Sequence, residues 1–279
     1  MMRPILCCVI AGVSLWTTIA GAHGDLERQI QEVSASIASE LQKAPDAHER
    51  AELFFARAEL YRLHRDWRSA EADYDQAAAY EPNLDAVELA RGKMLLESGQ
   101  MERAKVVLER FLAKHVDEPE ALLTHAQALI KLGWGIRAVS YLDRALLRHP
   151  QPEPDHYVAR ADILESLGDR YLARAVRGLD QGIKRLGPIV SLDTRAIELD
   201  VKLKRYDRAL KRVDRQAEQT IRKDIWLARR AAILDRAGRT RQAQAARLQA
   251  LERLTALPSH IQARQTSVAL KEQLENELD

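Results

Sequence analysis

Small apolar residues recur along this chain at a fixed period. A small residue follows a basic one in ARAEL, ARGKM, THAQA, ARADI, TRAIE and RRAAI. This places Ala58, Gly92, Ala126, Ala161, Ala196 and Ala231 at intervals of 34 or 35 residues. A second ladder runs in step, about twelve residues later, through Ala70, Ala104, Ala138, Ala173, Ala209 and Ala243. Between turns the apolar residues lie three and four apart, as in Phe54, Ala58 and Tyr61, or Ala70, Tyr74 and Ala77. That is the period of a helix with one buried stripe. Glycine stands between the ladders at Gly99, Gly133, Gly168 and Gly238, where a left-handed residue would end a helix. LHRDW and KLKRYD lack it, so those turns must use Arg, Asp or Lys, with strain or a different geometry. Each unit therefore predicts two helices of roughly twelve to fourteen residues joined by a short turn. Antiparallel helices approach to about 8–10 Å only where the side chains at the crossing are small. The two ladders mark those crossings, Tyr61 and Tyr74 fill the space beside them, and Pro82 ends the second helix.

The arrangement resembles the tetratricopeptide repeat. The first copy, about 51–84, carries the pattern with Phe54, Ala58, Tyr61, Ala70, Tyr74, Ala77 and Pro82. The third, about 119–152, carries it with Leu122, Ala126, Leu129, Gly133, Ala138, Leu142, Ala145 and Pro150. The fourth and fifth depart from it, with Arg177 where an apolar residue is expected and a slip of about one residue in register. The resemblance implies an all-α fold: a right-handed α-solenoid of about six helix-turn-helix repeats over 51–257. It further implies that the first helices of successive repeats line a concave groove. Groove-facing candidates are Phe55, Glu59 and Arg62; Leu89, Lys93 and Leu96; Leu123, Gln127 and Ile130; then Asp155, Asp162 and Glu165. Such a groove is apolar in the middle and acidic beyond, suited to a partner segment with apolar anchors and a basic end. Phe55 and Glu59 stand where the Lys and Asn of a carboxylate clamp would begin, so that binding mode is not expected.

The ends read as caps that shield the open faces of the array. One helix is expected within 23–50, with Leu26, Ile30, Val33, Ile37 and Leu41 on one face and Asp25 as its N-cap. The other is expected within 258–279, with Ile261, Val268, Leu270, Leu274 and Leu278.

Residues 1–22 differ from the rest. Arg3 precedes an uncharged apolar run from Pro4 to about Ala20, and Ala20 and Ala22 frame a small-residue cleavage site. This is the layout of a secretory signal peptide, with cleavage expected after Ala22. An uncleaved membrane anchor is the alternative, although the run falls short of the roughly 20 residues a membrane-spanning helix needs. Both cysteines, Cys7 and Cys8, lie in this leader, so the mature chain is expected to form no disulfide or thiolate site. Export without disulfides points to a bacterial periplasm.

Composition narrows the function. With 43 basic and 41 acidic residues the formal net charge is +2, which argues against a polyanion-binding chain. Charge reads as well mixed, the mark of a solvated helical surface. The eight histidines form no pair at metal-ligand spacing with a nearby acid. His149 and His156 flank Glu153 and Asp155, but a proline-rich turn accounts for that loop. No phosphate-cradling loop or nucleophile elbow is present, and neither metal nor cofactor is expected. The basic ladder Arg57, Arg91, His125, Arg160, Arg195 and Arg230 is expected to pair with acids on neighbouring helices, such as Asp73, Glu109 or Asp143.

The expected function is a periplasmic scaffold or adaptor that binds a protein or peptide of the envelope in its groove, without catalysis. The alternative is an envelope hydrolase or lytic enzyme using groove carboxylates such as Asp162 and Glu165, which would need one acid with a raised pKa. Self-association through an uncovered end is a third expectation.

Overall fold

The computed structural model describes residues 19–42 and 46–278 of the chain. Most of the expected leader, with Cys7 and Cys8, and residues 43–45 lie outside the described residues. The described residues hold fifteen α-helices and no strand. They divide into two compact units, residues 1–132 and 133–279.

The first unit contains α1 (Ile19–Gln42), α2 (Ala47–Leu63), α3 (Trp67–Tyr80), α4 (Asp85–Glu97), α5 (Met101–Lys114) and α6 (Pro119–Lys131). α1 packs against α2. Ile37 is buried, whereas Leu26, Ile30 and Val33 are half-buried. Asp25 does not cap it: the helix begins at Ile19 and Asp25 lies within it. α2 does have an aspartate cap, Asp46, whose carboxylate accepts from the Glu49 amide at 2.8 Å. α2 pairs with α3 and α4 with α5. Their shared core holds Ala58, Ala70, Tyr74, Ala77, Met94, Leu95, Ala104 and Leu108. Gly92 is buried where α4 crosses α5, and a Cβ there would come within 2.6 Å of a Leu108 methyl.

The second unit contains α7 (Gly135–Arg148), α8 (Pro154–Ser166), α9 (Leu172–Leu186), α10 (Val190–Lys202), α11 (Tyr206–Glu218), α12 (Lys223–Arg236), α13 (Thr240–Thr255), α14 (Ser259–Gln262) and α15 (Gln265–Asn276). Helices pair as α8/α9, α10/α11 and α12/α13. The predicted third repeat contributes α6 to the first unit and α7 to the second. Residues 258–279 hold two helices, α14 and α15, where the sequence predicts one. Arg264 is extended and interrupts the run, and α15 then lays Ser267 and Leu274 into the interior.

The ladder of small residues is buried at Ala58, Gly92, Ala126, Ala161, Ala196 and Ala231. The second ladder is buried at Ala70, Ala104, Ala138, Ala209 and Ala243, but Ala173 is only half-buried. A 3-10 turn over Asp169–Tyr171 precedes α9 and shifts its register, so Leu172 takes the interior place. For the same reason Val176 is buried and Arg177 is exposed, and the apparent intrusion of Arg177 into the core disappears. Two glycines do the work of small residues in this repeat. A Cβ on Gly178 would run into the Arg160 guanidinium, and one on Gly182 would meet the Tyr157 ring at 2.9 Å.

Four turns share one hydrogen-bond scheme. Asp66 N–H donates to Tyr61 O, Gln100 to Leu95, Arg205 to Asp200 and Arg239 to Leu234, at 2.7–2.9 Å. This is the six-to-one closure of a Schellman motif, which requires a left-handed residue just before the donor. That residue is Gly99 or Gly238 in two cases and Arg65 (φ 63°) or Lys204 (φ 56°) in the others. The turns lacking glycine thus keep the same geometry and accept the strain.

Candidate functional site

The candidate binding residues all lie on first helices of the repeats. In the first unit these are α2, α4 and α6. Phe55, Leu89 and Leu96 are half-buried and pack beside the core, and Phe55 sits 6.2 Å from the Tyr74 ring. Leu123 and Ile130 on α6 are also half-buried, and Gln127 is exposed. The apolar candidates therefore support the repeat and keep part of their surface open.

The charged candidates of this unit are tied to one another. Arg62 Nη2 donates to Glu59 Oε2 at 2.9 Å and Nη1 to Glu97 Oε1 at 2.6 Å, joining α2 to α4. The Tyr74 hydroxyl donates to Glu59 as well. Burial and the Glu59 charge push the Tyr74 hydroxyl far above its ordinary pKa. Burial opposes the charge on Arg62, but its hydrogen bonds to Glu59 and Glu97 outweigh this and hold its pKa above the ordinary value. Lys93 Nζ lies 2.5 Å from Glu120 Oε1, joining α4 to α6. What this face offers a ligand is mainly apolar surface with neutralised charge around it.

In the second unit Asp155 is exposed on the first turn of α8 and stands apart from the other two acids. Asp162 and Glu165 are brought together by Arg195 of α10. Arg195 Nε donates to Asp162 Oδ1 at 2.6 Å, its Nη2 donates to Glu165, and Lys202 also donates to Glu165. The hydrogen bond from Lys202, followed by that from Arg195, holds the Glu165 carboxyl below its ordinary pKa. A general acid needs the opposite shift. The arrangement suits a structural clamp between α8 and α10. Glu198 extends it, accepting from Arg195 at 3.1 Å and from Arg229 of α12 at 3.2 Å.

The basic ladder is paired inside the protein. Arg57 meets Asp73, Arg91 Nη2 donates to Asp75 at 2.7 Å, Arg160 donates to Asp143, and Arg230 Nε donates to Asp214 at 2.9 Å. His125 is fully buried with Nε2 4.0 Å from Glu109. Arg195 departs from the pattern: it reaches back to the first helix of the preceding repeat and not to a second helix.

Among the exposed apolar residues that sequence reasoning missed are Val190, Ile221 and Ile225. Val190 and Ile225 occupy the place of Asp155, 35 residues apart, a signal open to the same alignment. Among the described residues no three His, Cys, Asp or Glu side chains group as metal ligands. His149 Nδ1 accepts from the Gln151 amide at 3.1 Å, as a turn requires. No helix among the described residues is long and apolar enough to cross a membrane.

A family model, Tetratricopeptide repeat, matches residues 15–179. Comparison with curated proteins gives no match. Among solved structures, a tetratricopeptide repeat protein from Parabacteroides merdae is 17% identical, with 82% of this chain and 97% of that one covered and a TM-score of 0.52. YrrB, described as a TPR protein with an unusual peptide-binding site, is 12% identical over 73% of this chain and 97% of its own, at TM-score 0.52. A chain of the Naa15/Naa10 structure bound to HypK-THB is 13% identical over 82% of this chain and 34% of its own, at 0.55. These likenesses share the helical-hairpin fold, and the matched segment spans more than half of the sequence. The chain belongs to the tetratricopeptide repeat family, whose fold serves as a protein-interaction scaffold.

Proposed function

We propose that this protein is an exported scaffold of the bacterial envelope that binds a partner polypeptide along the first helices of its repeats. The observation that carries the reading is the strip of half-buried apolar side chains on α2, α4 and α6: Phe55, Leu89, Leu96, Leu123 and Ile130. Their charged neighbours are already neutralised by Glu59–Arg62–Glu97 and Lys93–Glu120. Partner segments with apolar anchors suit such a surface, because burying them strands no charge. YrrB, which shares the fold, has a peptide-binding site described as unusual. Export rests on the leader, with its early cation, apolar run and small-residue end.

The test is site-specific photo-crosslinking in cells from Leu89 and Leu123, with Val106 of α5 as a comparison position. One discrete adduct from the first-helix sites and none from Val106 is the expected result. Adducts from Val106 alone would move the binding face to the second helices. Fractionation with N-terminal sequencing checks export: a mature chain beginning at His23 in the periplasmic fraction is expected.

A further inference from the structure

The near balance of charge over the whole chain conceals an uneven distribution. Residues 1–132 carry an excess of acids and residues 133–279 an excess of bases, so charge is not well mixed along the chain. The excess in the second unit gathers on its second helices. α9 has Arg174, Arg177, Lys184 and Arg185 against Asp180 alone.

Two lines of outward positions run along α9 and α11. On α9 they are Arg174, Arg177, Gln181 and Lys184; on α11 they are Arg208, Lys211, Arg215 and Glu218. All are exposed or half-exposed, and none is apolar. The helices are neighbours, since Arg208 Nη2 donates to Asp180 Oδ2 at 2.9 Å and Arg212 takes the other oxygen. Asp180 is thereby used up. Arg174 is paired with Asp143 and Arg215 with Asp193. That leaves Arg177, Lys184 and Lys211 exposed and in no ion pair among the described residues, with Arg170 and Lys204 at the turns leading into the two helices. Seven residues of helix, roughly 10 Å, separate Arg177 from Lys184.

We propose that this face of the second unit adsorbs to an anionic lipid bilayer. A partner protein would ordinarily be held by aromatic or aliphatic anchors at the centre of the contact, and these two lines supply none. Lipid headgroups need no such anchor. They are mobile, they present negative charge over a broad surface, and each cation brought to them strengthens binding roughly fivefold. Arginine retains its charge at every physiological pH, so the attraction depends on salt and lipid charge. The inference stands apart from the first-helix binding face and from the compartment of the chain.

The test is co-sedimentation of the full chain with vesicles of phosphatidylcholine containing about one-third phosphatidylglycerol, against phosphatidylcholine alone. The leader, with Arg3 and the α-amino group, is the same in every variant, so the change in the ratio of the two partition constants between variants reads the charged face. The ratio should exceed ten for the wild type, and fall at least tenfold in the Arg177→Gln/Lys184→Gln/Lys211→Gln variant. It should stay near the wild-type value in Arg68→Gln/Arg110→Gln/Lys131→Gln, which removes the same charge from the first unit, circular dichroism showing both variants folded. A wild-type ratio near one, or equal loss in the two triple variants, would overturn the proposal. So would binding to soluble polyglutamate without binding to vesicles, which would replace lipid by an acidic polypeptide.

Discussion

Gly92 and Leu108 meet so closely that a methyl group on Gly92 would lie 2.6 Å from Leu108 Cδ2 and 2.8 Å from Cγ. Glycine in a helix interior costs about 1 kcal/mol against alanine, so the contact is the reason for its presence. Gly92→Leu should destabilise by more than about 2 kcal/mol through overpacking. Gly92→Ala should be near neutral in the wild type, helix propensity offsetting the clash, and stabilising by about 1 kcal/mol in a Leu108→Ala background. Urea melts of the four proteins check the cycle, and equal effects of Gly92→Ala in both backgrounds would refute the close contact.

Arg57 grips Asp73 with two bonds, Nε to Oδ2 at 2.6 Å and Nη2 to Oδ1 at 2.8 Å. Asp73 is buried, so Arg57→Ala strands its carboxylate. A loss of about 3 kcal/mol is expected for Arg57→Ala, and the double variant with Asp73→Ala should lose less than the sum of the single changes. Strict additivity would show the pair to be unimportant.

Arg65 and Lys204 hold left-handed backbones at φ 63° and 56°. Such a conformation is costly with a Cβ and free for glycine, whose greater unfolded-state entropy takes back part of the gain. Arg65→Gly and Lys204→Gly should each raise stability by a few tenths to about 1 kcal/mol. A drop in the denaturation midpoint for both would mean that the side chains, not the turn, decide.

Two groups give opposite pH dependences. Glu165 has a lowered pKa, from Lys202 first and then Arg195, so its stabilisation is full above the unfolded value, near 4.5, and is lost as pH falls through the folded value. His48 has a raised pKa through its hydrogen bond and charge pairing with Glu81, so its contribution is full below the unfolded 6.5 and lost as pH rises through the folded value. Thermal melts of Glu165→Gln should differ from the wild type at pH 7 and converge with it in acid. Those of His48→Gln should differ near pH 6 and converge in mild alkali.

α15 is anchored by Arg247, which donates from Nε to Glu277 Oε2 at 2.8 Å and also to Asp235. Glu277→Ala should cost about 1–2 kcal/mol, Asp235 still holding part of the charge. Hydrogen exchange should accelerate in α15 ahead of α13; uniform acceleration would deny the anchor.

The alternation of Ala58, Tyr61, Ala70 and Tyr74 reveals the fold because close helix crossings constrain side-chain size directly. The partners Asp73 and Asp143 were legible for the same reason, lying one helix away from their arginines. Ala173 was not, since a 3-10 turn of three residues shifts its helix and no apolar spacing announces that turn. The partners of Arg195 were hidden too. Asp162 and Glu165 lie 33 and 30 residues away, and sequence spacing cannot say which neighbouring helix a long side chain will reach. Gly178 and Gly182, one helical turn apart, are small residues too, but they fall outside the alanine period and so carry no repeat signal.

The clamps Glu165–Arg195 and Glu198–Arg229 run sideways, from one hairpin to the next. An array of repeats frays singly when each module is self-sufficient and its borders are weak. Here the seams themselves carry charge-to-charge bonds, so α8, α10 and α12 should melt together, as one cooperative block and not as three successive steps.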